Sequence, residues 1–242
     1  MNGDNKSYAV LIDAENISAD YAEKIIEEIL KYGTPTIKRI YGDWSSDKTK
    51  KWESKILDLA FTPRQQFAYT KGKNAVDMLL VIDAMDILFA NNHIGGVCIV
   101  SSDSDYIPLV NRLKESDIHI IGMGEEKTPK PFFNACDKFI YLELLIDEEN
   151  QETQETKVHK PIEVDDALIN LMRYIIDEFS DENGSLHLAQ LGTILNKRAP
   201  SFDTRTYGYK KLSTLLKSDI KTKKSFDIHY DSESRASYIN NQ

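Results

Sequence analysis

The stretch Tyr8-Ala-Val-Leu-Ile-Asp13 decides how the first half of this chain is read. Five consecutive apolar residues end on a carboxylate. A short apolar run of this kind is expected of a strand buried on both faces, as in a parallel sheet covered by helices. Its acid then stands at the strand's carboxyl end, where open α/β sheets bind their ligands. A second run, Val97–Val100, leads into Ser101-Ser-Asp-Ser-Asp, so Asp103 and Asp105 reach the same edge.

Around these two strands the pattern alternates. Helical spacing covers 19–32, 50–59, 74–90 and 106–115, and strands are expected at 36–41, 66–69, 118–122 and 139–142. Alternation of this kind predicts an α/β fold with a parallel sheet and helices on both faces. Residues 147–163 are polar and acidic and read as a linker between a domain at 1–146 and one at 164–242. After it, helices are expected at 167–179, 188–197 and 207–217, then a hairpin of 226–230 with 236–239. Three helices and a hairpin make a small winged helix.

The formal net charge of −9 argues against a general nucleic-acid binder. Its distribution matters more, because residues 197–224 hold nine basic residues and two acidic ones. No apolar run approaches a membrane span, and the N-terminus lacks the apolar core of an export signal. Cys98 and Cys136 therefore read as free thiols in a reducing cytoplasm. The histidine and cysteine spacings do not suit zinc, and a Walker A sequence is absent.

Asp13, Asp103 and Asp105 are joined by Asp77, in the first turn of the long apolar helix. Magnesium and manganese take hard oxygen ligands of this type. Clustered carboxylates repel unless a cation lies between them. Lys73 is placed to balance charge or touch a phosphate, and Asn16 to orient a carboxylate or a water. The plainer roles are that Asp-x-Asp caps a turn and that Asp77 serves a helix start. On the helical wheel Asp83 and Asp86 leave the face of Asp77, which points to structural or exposed roles. Ser101, Ser102 and Ser104 read as loop caps. Trp44 and Trp52 flank Lys48, Lys50 and Lys51, where they could stack on bases, join the core or support a homodimer.

Three motifs in order, LIDAENI (11–17), KGKNAVDMLLVIDAM (71–85) and VSSDSDYIPLV (100–110), resemble the NYN domain, the LabA-like branch of the PIN-like nucleases. The resemblance implies metal ligation by Asp13, Asp77 and Asp103, with Asp105 completing the set or acting through water, and Asn16 in support. Lys73 precedes Asp77 by four residues where the family often has three. The segment LHLAQLGTILNKRAPSFDTRTYGYKKLSTLLKS (186–218) resembles the OST-HTH, or LOTUS, domain, a winged helix implicated in RNA binding and protein contacts. Arg205, Tyr207, Lys210, Lys211 and Lys217 are its candidate RNA-binding residues, since phosphates need cations. Together the two resemblances imply a Mg2+- or Mn2+-dependent endoribonuclease with an RNA-binding module. A non-catalytic RNA-binding adaptor is the alternative. Another metal-dependent phosphoesterase is a third reading, because similar acids follow strands in Toprim and haloacid-dehalogenase-like domains.

Overall fold

The computed structural model describes residues 6–67, 75–90, 93–146, 161–232 and 235–242. Lys73 and most of the expected linker lie outside them. The chain divides into two compact units, 1–158 and 159–242.

In the first unit six strands form one parallel sheet. They are β1 (Ser7–Asp13), β2 (Thr34–Gly42), β3 (Thr62–Gln65), β4 (Ile94–Val100), β5 (His119–Gly124) and β6 (Lys138–Tyr141). Their spatial order is β3-β2-β1-β4-β5-β6. The chain starts in the middle, builds outward to β3, then returns to β4 and builds the other way. β1 and β4 thus flank the point where the winding reverses, and loops after their carboxyl ends diverge and leave a crevice.

β1 shows why its run of apolar residues is unbroken. Val10 and Ile12 join one buried cluster with Ile25 and Ile29 of α1 (Ala22–Ile29). Ala9 and Leu11 face the opposite way, into a cluster with Leu80 and Ala84 of α3 (Ala75–Ala90) and Leu113 of α4 (Ile107–Lys114). Alternate side chains point to opposite faces, and both faces are covered. Two further helices, α2 (Trp52–Asp58) and α5 (Lys130–Ala135), complete the unit, and the sequence pattern did not predict α5. Gly96 is required by close approach: a Cβ there would lie 2.2 Å from the Tyr8 ring.

One expectation is corrected, one open reading is decided and one structural role is found as expected. The third strand occupies Thr62–Gln65; of the expected 66–69, residues 66 and 67 are not strand and 68 and 69 lie outside the described residues. Its Pro63 cannot donate to a ladder, and it sits on the edge strand, where the cost is lowest. Trp52 is 1% exposed, packs edge-on against Phe61 and donates its indole N–H to the Ile17 carbonyl. It belongs to the core, which removes it as a base-stacking or dimer surface. Asp83 is buried on α3 and accepts from Tyr41, Arg39 and Arg64 at 2.9–3.0 Å. That ties the helix to β2 and β3, in the structural role expected of it, and Asp86 is exposed.

The second unit contains α6 (Asp166–Phe179), α7 (Leu188–Arg198), α8 (Leu212–Ser218) and α9 (Ile220–Ser225). Its antiparallel sheet has the order β7-β9-β8, from Leu186–His187, Ala236–Asn241 and Phe226–Asp231. The helix expected over 207–217 is shorter. A 3-10 turn at Thr204–Tyr207 ends on Gly208, whose φ of +82° is left-handed, and α8 starts only at Leu212. Lys210 and Lys211 therefore precede the helix, and their helical spacing with Lys217 does not exist. The short β7 and α9 are further additions. Asp219 explains the latter, capping α9 through the Lys221 and Thr222 amides. Ile162 donates its N–H to the Thr206 carbonyl, and Val164 joins the second core. Among the described residues no helix is long and apolar enough to cross a membrane.

Candidate functional site

Asp13, the last residue of β1, is 2% exposed. Its Oδ1 accepts the backbone N–H groups of Glu15 (3.1 Å) and Asn16 (3.2 Å), because the chain turns sharply where the strand ends. Its Oδ2 accepts from the Ser101 hydroxyl at 3.1 Å. Ser101 follows β4 directly, so one hydrogen bond spans the crevice between the two central strands. Asn16 makes a second link, its Oδ1 accepting the Ser102 amide at 3.3 Å.

Asp77 enters from the first turn of α3. The Tyr106 hydroxyl lies between the two acids, 2.8 Å from Asp77 Oδ1 and 3.4 Å from Asp13 Oδ2. A single phenol proton cannot serve both, so Asp77 and Asp13 compete for it. Tyr106 is fully buried at the turn into α4.

Asp103 and Asp105 occupy the loop below. Asp103 Oδ1 caps the following 3-10 turn by accepting the Asp105 amide at 2.9 Å, and its own amide donates to Ser101 Oγ. The capping role foreseen for Asp-x-Asp is therefore present. Asp105 is exposed and, with Asp77, Ser104, Tyr106, Met78 and Pro108, lines an open pocket of about 490 Å³.

The electrostatics follow from this packing. Asp13 is pushed up to about 7, chiefly by burial and then by the Asp77 charge, against the pull of its hydrogen-bond donors. Asp77 is raised too, first by burial and then by Asp103, Glu15 and Asp105, while the Tyr106 hydrogen bond lowers it. Tyr106 is raised by burial between them. Glu15 thus belongs to the acidic neighbourhood as well.

The family model for the NYN domain matches residues 7–143. The chain belongs to the NYN family. A second model, the OST-HTH/LOTUS domain, matches residues 160–222. The NYN domain is part of the PIN-like nuclease superfamily, and with the LOTUS domain it marks an RNA-related, nuclease-like protein. Among curated proteins none matches the sequence. A Vibrio parahaemolyticus protein of unknown function, known from its crystal structure, is similar at 17% identity and a TM-score of 0.49 over 62% of this chain and 98% of its own. A solution structure from Nitrosomonas europaea, of an uncharacterized protein, covers 40% of this chain and 92% of its own at 26% identity and a TM-score of 0.30.

In donor type the NYN site fits a hard divalent cation. Among the described residues no three histidine, cysteine or acidic side chains are gathered closely enough to enclose one. Magnesium does not need that many, since it keeps several waters and uses one or two carboxylates. The Asp13–Asp77 pair meets that demand.

Tyr106 and Ser101 are the site residues that sequence reasoning missed. Tyr106 stood inside the quoted motif, but its position read as the opening of a helix. Ser101 read as a cap, which it is for Asp103, yet it also holds Asp13. In the LOTUS domain the expected RNA-binding residues separate. Lys210, Lys211 and Lys217 are exposed. Arg205 is clamped to Asp203, its Nε and a terminal nitrogen lying 2.7–3.1 Å from the carboxylate. Tyr207 packs near Phe202 at the core.

Proposed function

We propose that this NYN protein is a Mg2+- or Mn2+-dependent endoribonuclease whose LOTUS domain supplies RNA affinity. The observation that carries the reading is the Asp13–Tyr106–Asp77 array, buried at Asp13 and Tyr106 and half-buried at Asp77, at the reversal point of the sheet. Two carboxylates held together under one hydroxyl, at a cost in repulsion, suit a site that works with a cation. Asp13 and Asp77 would hold the metal, with Asp103 and Asp105 acting through water. A bound divalent ion lowers the pKa of a water and offsets charge on a phosphoryl oxygen.

The chain's own residues do the rest. The Glu15 and Asn16 amides fix Asp13 Oδ1, and Ser101 fixes Oδ2, so the carboxylate cannot rotate away. Tyr106 holds a proton at Asp77 Oδ1 and keeps the two acids in register. The pocket beside Asp77 and Asp105 is large enough for a nucleotide, and its Met78, Ile107 and Pro108 lining supplies an apolar wall.

The reading is tested with single-stranded and structured RNA, in Mn2+ and in EDTA, beside Asp13→Asn. Cleavage in Mn2+ that both EDTA and Asp13→Asn abolish is expected. Equal cleavage by Asp13→Asn overturns it. One observation favours the adaptor alternative: Asp103, an expected ligand, already spends Oδ1 on capping its own loop. RNA binding without turnover at stoichiometric protein would establish that alternative.

A further inference from the structure

The outer face of the LOTUS unit's sheet carries a row of rings. His187 of β7 pairs with Tyr238 of β9, and Tyr238 pairs with His229 of β8. The first two rings meet edge to face at 5.4 Å, and the second two stack at 5.6 Å with planes 15° apart. The period of two explains the placement. Leu186, Ile228 and Ile239, one residue away on each strand, point into the core, so the three rings must point out.

His187 also lines a pocket of about 570 Å³, together with Gly192, Lys211, Ser213, Arg235 and Ser237. Lys211 and Arg235 are both exposed, and neither side chain makes an ion pair or hydrogen bond with a described residue. No carboxylate is among the described residues lining the pocket. The pocket therefore presents two cations without a counter-charge. By contrast, Arg205 is already neutralised by Asp203. Arg235 also holds a left-handed backbone, with φ of +53°, a conformation that a side chain adopts at some cost.

We infer that this ring row and the Lys211–Arg235 pocket form the surface on which the LOTUS unit takes single-stranded RNA. The inference deepens the proposed function and rests on its choice of RNA as the substrate. His229, the exposed end of the row, offers a flat face on which an unpaired base stacks, and the two cations share their pocket with His187 at the other end, where the connecting phosphates would run. Paired bases hide their faces, so a duplex gains only the phosphate interactions. Part of this surface, β8 and β9, lies beyond the residues that the LOTUS family model matches.

The test measures binding of a labelled single-stranded 20-mer RNA, and of its duplex, to the full chain in EDTA over a series of salt concentrations. Lys211→Gln combined with Arg235→Gln should weaken single-strand binding about tenfold or more. It should also flatten the log–log salt dependence by about 1.4, at roughly 0.7 for each phosphate that is no longer neutralised. His229→Ala should weaken single-strand binding several-fold and leave duplex binding and the salt dependence unchanged. Lys130→Gln, an exposed lysine of the NYN unit outside every residue named for RNA contact, serves as the comparison and should bind within about twofold of the parent. Unaltered melting of each variant shows that the fold survives. Parent-like affinity of the double variant, equal affinity for duplex and single strand, or no RNA binding at all overturns the inference. Because EDTA removes cleavage from the measurement, failure here is distinct from failure of the nuclease reading, which Asp13→Asn tests in Mn2+.

Discussion

Asp13→Asn should abolish cleavage and, in EDTA above pH 7, make the NYN unit more stable than its parent. The Asp13 carboxyl is pushed up to about 7 from 3.8 by burial and by Asp77. The folded state therefore binds a proton more tightly than the unfolded state does. Between those two pH values the folded protein holds the proton and the unfolded one has lost it, so stability falls as pH rises. Each pH unit corresponds to about 1.36 kcal/mol, and about three of them give about 4 kcal/mol of lost stability above pH 7 as an upper limit. Asparagine carries no charge and is close to isosteric. Its oxygen can keep the Glu15 and Asn16 amides, and its NH2 can donate to the Ser101 or Tyr106 oxygens, which accept as well as donate. Recovery of half the upper limit, about 2 kcal/mol, would raise Tm by about 4–8 °C. The assay is thermal or urea unfolding in EDTA from pH 4 to pH 9. The parent should lose stability through this range and the variant should be flatter, with the two converging at the acid end. Adding Mn2+ at pH 8 should raise the parent's Tm and leave the variant's nearly unchanged. A variant less stable than the parent at pH 8, or parallel pH profiles, would refute the argument that the site stores repulsion.

Other expectations can be checked alongside. Without its hydroxyl, Tyr106→Phe should cut cleavage about tenfold and change Tm little, since one neutral hydrogen bond is worth about 0.5–1.5 kcal/mol net; it should also weaken Mn2+ affinity measured by calorimetry. Asp83→Ala should destabilise the NYN unit by about 3 kcal/mol, because Arg39, Arg64 and Tyr41 lose their shared acceptor; urea unfolding reads this, and cleavage per folded molecule should persist. Gly96→Val should cost about 2 kcal/mol or more by driving side-chain atoms into the Tyr8 ring. The metal-free Asp13 and Asp77 carboxyls both lie above the ordinary range, so Mn2+ binding, which needs them ionised, should strengthen as pH rises toward and through 7.

The local pattern of the chain determined much of this protein. An unbroken apolar strand must be covered on both faces, so Tyr8–Ile12 and Val97–Val100 announced a parallel sheet, and the acids that follow them were bound to reach one edge. The long apolar helix and the winged helix were readable for the same reason, since each follows from a short period of side chains. The departures came where neighbours distant in sequence decide. Trp52, beside lysines, was open between a base-stacking ring, a dimer contact and the core, and packing against Phe61 and Ile17 made it core. Lys210, Lys211 and Lys217 looked like one helical face until Gly208 turned left-handed and broke the run. Tyr106 and Ser101 became site residues only because β4 lies beside β1, which brings hydroxyls from 100–106 onto carboxylates from positions 13 and 77. Sequence spacing fixes which residues share an element. Pairing between elements far apart in the chain fixes which of them share a proton, and only the folded sheet supplies that.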